Sequence, residues 1–84
     1  MPYQIVIKRT AEKELDALPS GVRNRIAVRL LRLEENPRLS GSLKLQGQDG
    51  YRLRIGDYRV LYSVDDRAQV ITIFAIGHRR EVYK

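Results

Sequence analysis

The chain contains no cysteine and only one histidine. Without cysteine there are no disulfides, no thiol chemistry and no thiolate zinc site. One histidine cannot build a metal centre alone, so neither a metal nor a cofactor is expected. No run of ~18 apolar residues occurs, which excludes a helix of membrane-spanning length. The opening residues, Met1-Pro2-Tyr3-Gln4-Ile5, lack the basic, apolar and small-residue segments of a secretory signal, and the cytoplasm is the expected location. Repeats, low-complexity stretches and interdomain linkers are absent too. The 84 residues are expected to form one domain, 1–84, whose small core hides roughly 60–65% of the unfolded surface.

What the chain does have is positive charge. Sixteen Lys and Arg stand against ten Asp and Glu, for a net charge of +6, and most of the bases are arginine. Arginine stays charged at every working pH and offers a planar fork of donors that matches phosphate. A small domain of this kind points to a polyanion: RNA, DNA or an acidic protein.

The hydrophobic pattern predicts an α+β fold. Tyr3 to Ile7 reads as a short strand. Thr10 is a suitable N-cap for a first helix, whose apolar face is Ala11, Leu15 and Leu18 and which Pro19 ends. Ser20 is placed to cap a second helix with the stripe Val22, Ile26, Leu30 and Leu33, closed by Asn36-Pro37. A loop rich in Gly, Ser, Gln and Asp runs from Arg38 to Gly50. Tyr51 to Ile55 alternates as a strand, Gly56-Asp57 is a hairpin turn and Tyr58 to Val64 returns. After a turn at 65–68, Val70 to Ile76 is an apolar run expected to be buried on both faces, ended by Gly77. The expected architecture is an N-terminal strand, a helical hairpin and an antiparallel β-meander, with the helices packed on one side of an antiparallel sheet.

Side chains alternate along a strand, so Arg52 and Arg54 share one face while Tyr51, Leu53 and Ile55 point to the helices. Pairing across the two-residue turn sets Ile55 opposite Tyr58, Arg54 opposite Arg59 and Arg52 opposite Leu61. Three arginines then crowd one face with no acid among them. Like charges directly opposite destabilise a sheet, a cost more easily borne if an anion sits between them. This face is the candidate phosphate site.

His78, Arg79, Arg80 and Tyr83 follow the last strand and could reach that face. The set suits metal-independent RNA cleavage, in which the 2′-OH attacks the adjacent phosphate. A base takes the 2′-OH proton, an acid protonates the leaving 5′-oxygen, and cations stabilise the transition state. Arginine suits the third task but not the first, leaving His78 or Tyr83 as base and acid. On the second helix, Arg25, Arg29 and Arg32 line one edge, either as a solvated face or as a track for an RNA backbone.

The string Tyr51-Arg52-Leu53-Arg54-Ile55-Gly56-Asp57-Tyr58-Arg59-Val60-Leu61-Tyr62 resembles the signature hairpin of the RelE/ParE toxin superfamily. Ile76-Gly77-His78-Arg79-Arg80-Glu81-Val82-Tyr83 is similar to the C-terminal signature of its RelE branch, and Asn36-Pro37 followed by Lys44-Leu45-Gln46-Gly47 matches the usual helix end and loop. The resemblance implies the toxin of a type II toxin–antitoxin system. Such a toxin occupies the ribosomal A site, beside 16S rRNA, cuts the mRNA codon there and is neutralised by a co-expressed antitoxin. It implies that Arg59 binds phosphate, that Arg79 is catalytic and that Tyr83 stacks on or orients the target base. Arg54 and His78 complete the expected catalytic set, with Arg52, Arg25, Arg29, Arg32, Arg80 and Lys44 expected to bind RNA. Arg52 and Arg54 fall where RelE proteins often carry lysine, so proton transfer by lysines there has no counterpart in this chain. The ParE branch shares the fold and implies a gyrase-inhibiting toxin without nuclease activity, and a plain binding module is the third reading. The basic tail signature favours the RelE branch. The +6 charge suits an acidic antitoxin.

Overall fold

The computed structural model describes residues 2–39 and 41–78. The elements are β1 (Gln4–Ile7), α1 (Arg9–Asp16), α2 (Ser20–Glu35), β2 (Ser42–Lys44), β3 (Tyr51–Ile55), β4 (Tyr58–Asp65) and β5 (Val70–His78). The strands form one sheet in the order β1-β5-β4-β3-β2. No helix among the described residues is long and apolar enough to cross a membrane.

The α+β class and the antiparallel β3-β4-β5 meander match expectation. The sheet as a whole is mixed, because β1 lies parallel to β5, with Ile5 beside Ile71 and Ile7 beside Ile73. That register stacks four isoleucines on the helix side, where Ile71 and Ile73 are fully buried. Burying that apolar column favours the parallel docking. The strand starts at Gln4 because the Tyr3 N–H donates to Glu34 O of α2 at 2.8 Å.

Both expected helix caps move. The Lys8 N–H still donates to Ile73 O at 2.9 Å, so the β ladder runs up to Lys8, and Lys8 rather than Thr10 precedes the helix. Pro19, with extended backbone, takes the same place before α2, and Ser20 is already helical. Neither helix has a side-chain cap. The apolar stripes hold: Ala11, Ile26, Leu30 and Leu33 are buried, with Leu15, Leu18 and Val22 packed against them.

The 38–50 segment is not all loop. Ser42–Lys44 forms a three-residue edge strand on β3, too short to show any periodicity. β5 continues through Gly77 to His78. It is buried on the helix side at Ile71, Ile73 and Ile76, whereas Val70, Thr72 and Phe74 on the other side are half-exposed. The helices cover one face only, so burial on both faces does not hold. A bulge where β4 passes from Leu61 to Tyr62 leaves Phe74 as the extra residue on β5.

Candidate nucleic-acid interface

The hairpin register is the one the turn demands: Ile55 opposite Tyr58, Arg54 opposite Arg59 and Arg52 opposite Leu61. Leu53 and Ile55 are buried under the helices, so Arg52, Arg54 and Arg59 share the helix-free face. Gly77 continues the row opposite Arg59. Three strands therefore present Arg54, Arg59 and a buried position without a side chain in one row. The next row is Leu43, Arg52, Leu61 and Ala75.

The two central arginines differ in setting. Arg54 is exposed, and its Nε donates to Gly56 O at 3.3 Å, which holds the side chain along the turn. Arg59 is 9% exposed. Charge seated away from water attracts a phosphate more strongly than charge on an open surface.

His78 does not join that row. It is opposite Tyr58, and their rings meet edge to face with centroids 5.6 Å apart. Alternation along β5 puts it on the side of Ile76, whereas Gly77 takes the place beside Arg59. The expectation that His78 reaches the arginine face fails for this reason: the strand runs two residues further than Ile76 and fixes the parity. Arg79, Arg80 and Tyr83 lie outside the described residues.

The α2 stripe meets the hairpin at its tip. A Cβ on Gly56 would lie 2.5 Å from Arg25 Nη2, so the end of the Arg25 side chain rests against the turn, where a φ of +61° favours glycine. Arg25 and Arg29 line a cavity of about 260 Å³ with Val28, Ile55 and Gly56. The tip is thus flanked by Arg54 on one face and Arg25 on the other. Arg32 is exposed near the end of α2 and Lys44 is exposed at the end of β2.

Two clusters escaped the sequence. Arg38 forms a two-pronged contact with Asp66, at 2.8 and 3.2 Å, and its Nε donates to the Tyr51 hydroxyl at 2.9 Å. The Tyr3 hydroxyl donates to the same carboxylate at 2.7 Å. The hydrogen bonds from Arg38 and Tyr3 hold the Asp66 carboxyl below its ordinary range, and the bond to Asp66 raises the Tyr3 phenol. This clamp ties the segment after α2 to β3 and to the β4–β5 turn. Leu43, Gln46 and Gln48 border a cavity with Arg52, and their glycine- and glutamine-rich loop was the available signal. Among the described residues, no group of three or more His, Cys, Asp or Glu could hold a metal ion.

Comparison with known proteins bears on this geometry. The family model described as the ParE toxin of the type II toxin–antitoxin system parDE matches residues 5–83. The mRNA interferase toxin RelE of Escherichia coli K12 is 35% identical, over 99% of this chain and 92% of that protein. A solved structure of free E. coli RelE with two arginine-to-alanine substitutions superposes with a TM-score of 0.83 at 32% identity, covering 99% of this chain and 92% of that one. The toxin of an archaeal RelE–RelB complex from Pyrococcus horikoshii superposes at 0.82 with 33% identity, covering 96% of this chain and 99% of that one. The family model carries the ParE name while these relatives are RelE proteins. The individual relatives cover 96–99% of this chain and distinguish the branches more finely than a family-wide description.

Proposed function

The chain belongs to the RelE/ParE superfamily of type II toxins, as a RelE-like member, and from that premise we propose that it is a ribosome-dependent endoribonuclease that cuts mRNA in the ribosomal A site. The observation that carries the reading is the Arg54–Arg59 pair beside Gly77 on the helix-free face. A scissile phosphate between the two guanidiniums is held before its charge develops, so little reorganisation is needed as the pentacoordinate state forms. The 2′-oxygen bonds to phosphorus as its proton passes to a base. The bond to the 5′-oxygen breaks as that oxygen takes a proton from an acid. A 2′,3′-cyclic phosphate and a 5′-hydroxyl result, with no metal in the step.

Arg79 adds positive charge to this state. Tyr83 carries proton transfer and stacks on the base. His78 is the alternative proton carrier, and because it faces Tyr58 rather than the arginine row, His78→Ala is expected to keep cleaving where Tyr83→Phe does not. Arg52, Lys44, Arg80 and the α2 stripe Arg25, Arg29 and Arg32 contact mRNA or 16S rRNA backbone. The site of action is the cytoplasm, where ribosomes translate. An acidic antitoxin neutralises the toxin, consistent with RelB as partner in the archaeal complex and with the net charge of +6.

The test is a primer-extension assay on a defined message with and without programmed ribosomes. Cuts confined to the A-site codon and requiring ribosomes support the reading. Cuts on naked RNA remove the ribosome from it. No cuts, with inhibition of gyrase, replace it by the ParE-like activity.

A further inference from the structure

We propose that the cavity beside Arg52 is a nucleobase-reading subsite that prefers adenine; this rests on the nuclease reading and names how the toxin selects its RNA. Leu43, Lys44, Leu45, Gln46, Gln48 and Arg52 line a half-open cavity of about 480 Å³, within the ~300–1,000 Å³ of small-ligand pockets. The composition matches a base rather than a phosphate. Leu43 is 55% exposed and, with Leu45, offers apolar surface for a flat ring. Two neutral carboxamides offer both donors and acceptors, as a base edge requires. Among the described residues, neither Gln46 nor Gln48 uses its side-chain amide in a hydrogen bond within the protein. A glutamine amide can meet the N6 donor and N7 acceptor of adenine with two hydrogen bonds, whereas guanine presents two acceptors on that edge, which favours adenine over guanine.

The loop that carries the amides is held at its base. The Leu45 N–H donates to Gly50 O at 2.9 Å. Gly50 has φ +127°, and a Cβ there would lie 2.8 Å from Tyr62 O, so the loop closes directly onto β4. Positions 46 and 48 are therefore presented from a fixed frame, which lowers the ordering cost of binding.

Place in the sheet gives the subsite its meaning. Arg52 borders the cavity and shares a face with Arg54, about 6.6 Å further along the strand. A base in the cavity thus belongs to a nucleotide next to the one whose phosphate lies at Arg54 and Arg59. The subsite acts on selection, while Arg54 and Arg59 act on the reaction.

Four 2′-O-methyl trinucleotides differing in one base cannot be cleaved and serve as probes. Their binding to the ¹⁵N-labelled full chain is followed through the side-chain amide signals of Gln46 and Gln48. The adenine probe is expected to shift both signals and to bind about fivefold to tenfold more tightly than the others. That preference is expected to vanish in the exposed-loop variant Gln46→Ala/Gln48→Ala. Equal binding of all four probes, no binding, or a preference that survives the double substitution overturns the subsite. The same preparations are assayed on programmed ribosomes. Adenine-selective binding without cleavage removes the nuclease reading and leaves the subsite standing, and cleavage with base-indifferent binding does the reverse.

Discussion

Arg54 and Arg59 face each other across the β3–β4 ladder, with Gly77 next in the row. A directly opposed pair of like charges works against the sheet unless an anion lies between them. Inorganic phosphate is therefore expected to raise the Tm of the free toxin. Arg54→Gln is expected to be as stable as the parent or more stable by about 0.2–1 kcal/mol in phosphate-free, low-salt buffer, and to respond less to phosphate. Thermal unfolding with and without phosphate checks both halves. A variant that keeps the full phosphate response removes the shared-anion site.

Arg59 is the nearly buried member of the pair, and under the proposed nuclease reading its loss is expected to bear on the reaction more than on binding. Arg59→Ala is expected to lower A-site cleavage by about 10²–10³-fold, the usual cost of removing one preorganised donor from a developing anion. Arg59→Lys restores the charge without the planar fork and is expected to recover only part of that loss. Single-turnover cleavage on programmed ribosomes measures both variants. Unchanged rates for Arg59→Ala would move the scissile phosphate elsewhere.

The legible parts of the molecule are those where local chemistry dictates geometry. Gly56-Asp57 fixes a two-residue turn, and that turn fixes which residues oppose Arg54 and Arg52 without any knowledge of the rest of the chain. The α2 stripe was legible because Ile26, Leu30 and Leu33 recur at helical spacing. The parallel docking of β1 on β5 was not, since it depends on burying Ile5 and Ile7 against a strand some 66 positions away. For the same reason the Arg38–Asp66 clamp left no local trace. The parity of His78 turned on whether Gly77 ended β5 or lay within it, a choice that β4 pairing makes rather than the glycine itself.

Tyr62 links the sheet to the end of α2, and its position has a pH signature. Its hydroxyl donates to Pro37 O at 2.7 Å, and the residue is fully buried. Burial raises its phenol above the ordinary value. A raised folded value means that the protonated form favours the fold, so the contribution is intact below pH ~10 and declines as pH rises towards the folded value. Tyr62→Phe is expected to cost about 1 kcal/mol at neutral pH by leaving Pro37 O without its donor, and to flatten the alkaline decline. Tyr3, raised in the same direction by Asp66, leaves a residual slope. Asp66, held low by Arg38, acts at the other end: its contribution is present above pH ~4 and disappears as pH falls through its lowered value. Urea unfolding across the pH range reads all three groups.

Gly50 carries two constraints at once. Its φ of +127° is unfavourable for a side chain, and a Cβ would press on Tyr62 O at 2.8 Å, a backbone atom in a paired strand. Gly50→Ala is expected to destabilise the toxin by about 1–3 kcal/mol. The strain is expected to centre on the 45–50 loop, so amide exchange at Leu45 should accelerate more than in the Ile71–Ile73 core. Equal acceleration at both places would make the effect global and remove the loop-frame role given to Gly50.

Leu31 bears on the antitoxin. It is 64% exposed and borders a mainly apolar groove of about 500 Å³ with Ile5, Ile7, Leu15, Ala27 and Leu30, edged by Gln4 and Glu34. The groove lies on the helix side, away from the Arg54–Arg59 row, so a partner seated there leaves the phosphate site open unless its chain also wraps the sheet. An acidic antitoxin is expected to be drawn to a toxin of +6, and the groove is expected to supply the apolar anchor that charge alone lacks. Leu31→Glu is expected to weaken antitoxin binding by about 10- to 100-fold, the loss of one buried leucine contact, while A-site cleavage by the free toxin stays unchanged. Titration calorimetry with the co-expressed antitoxin, paired with the cleavage assay, separates the two surfaces. An unaltered affinity places the antitoxin anchor on the sheet instead, and a parallel loss of cleavage means that the helix face also meets the ribosome.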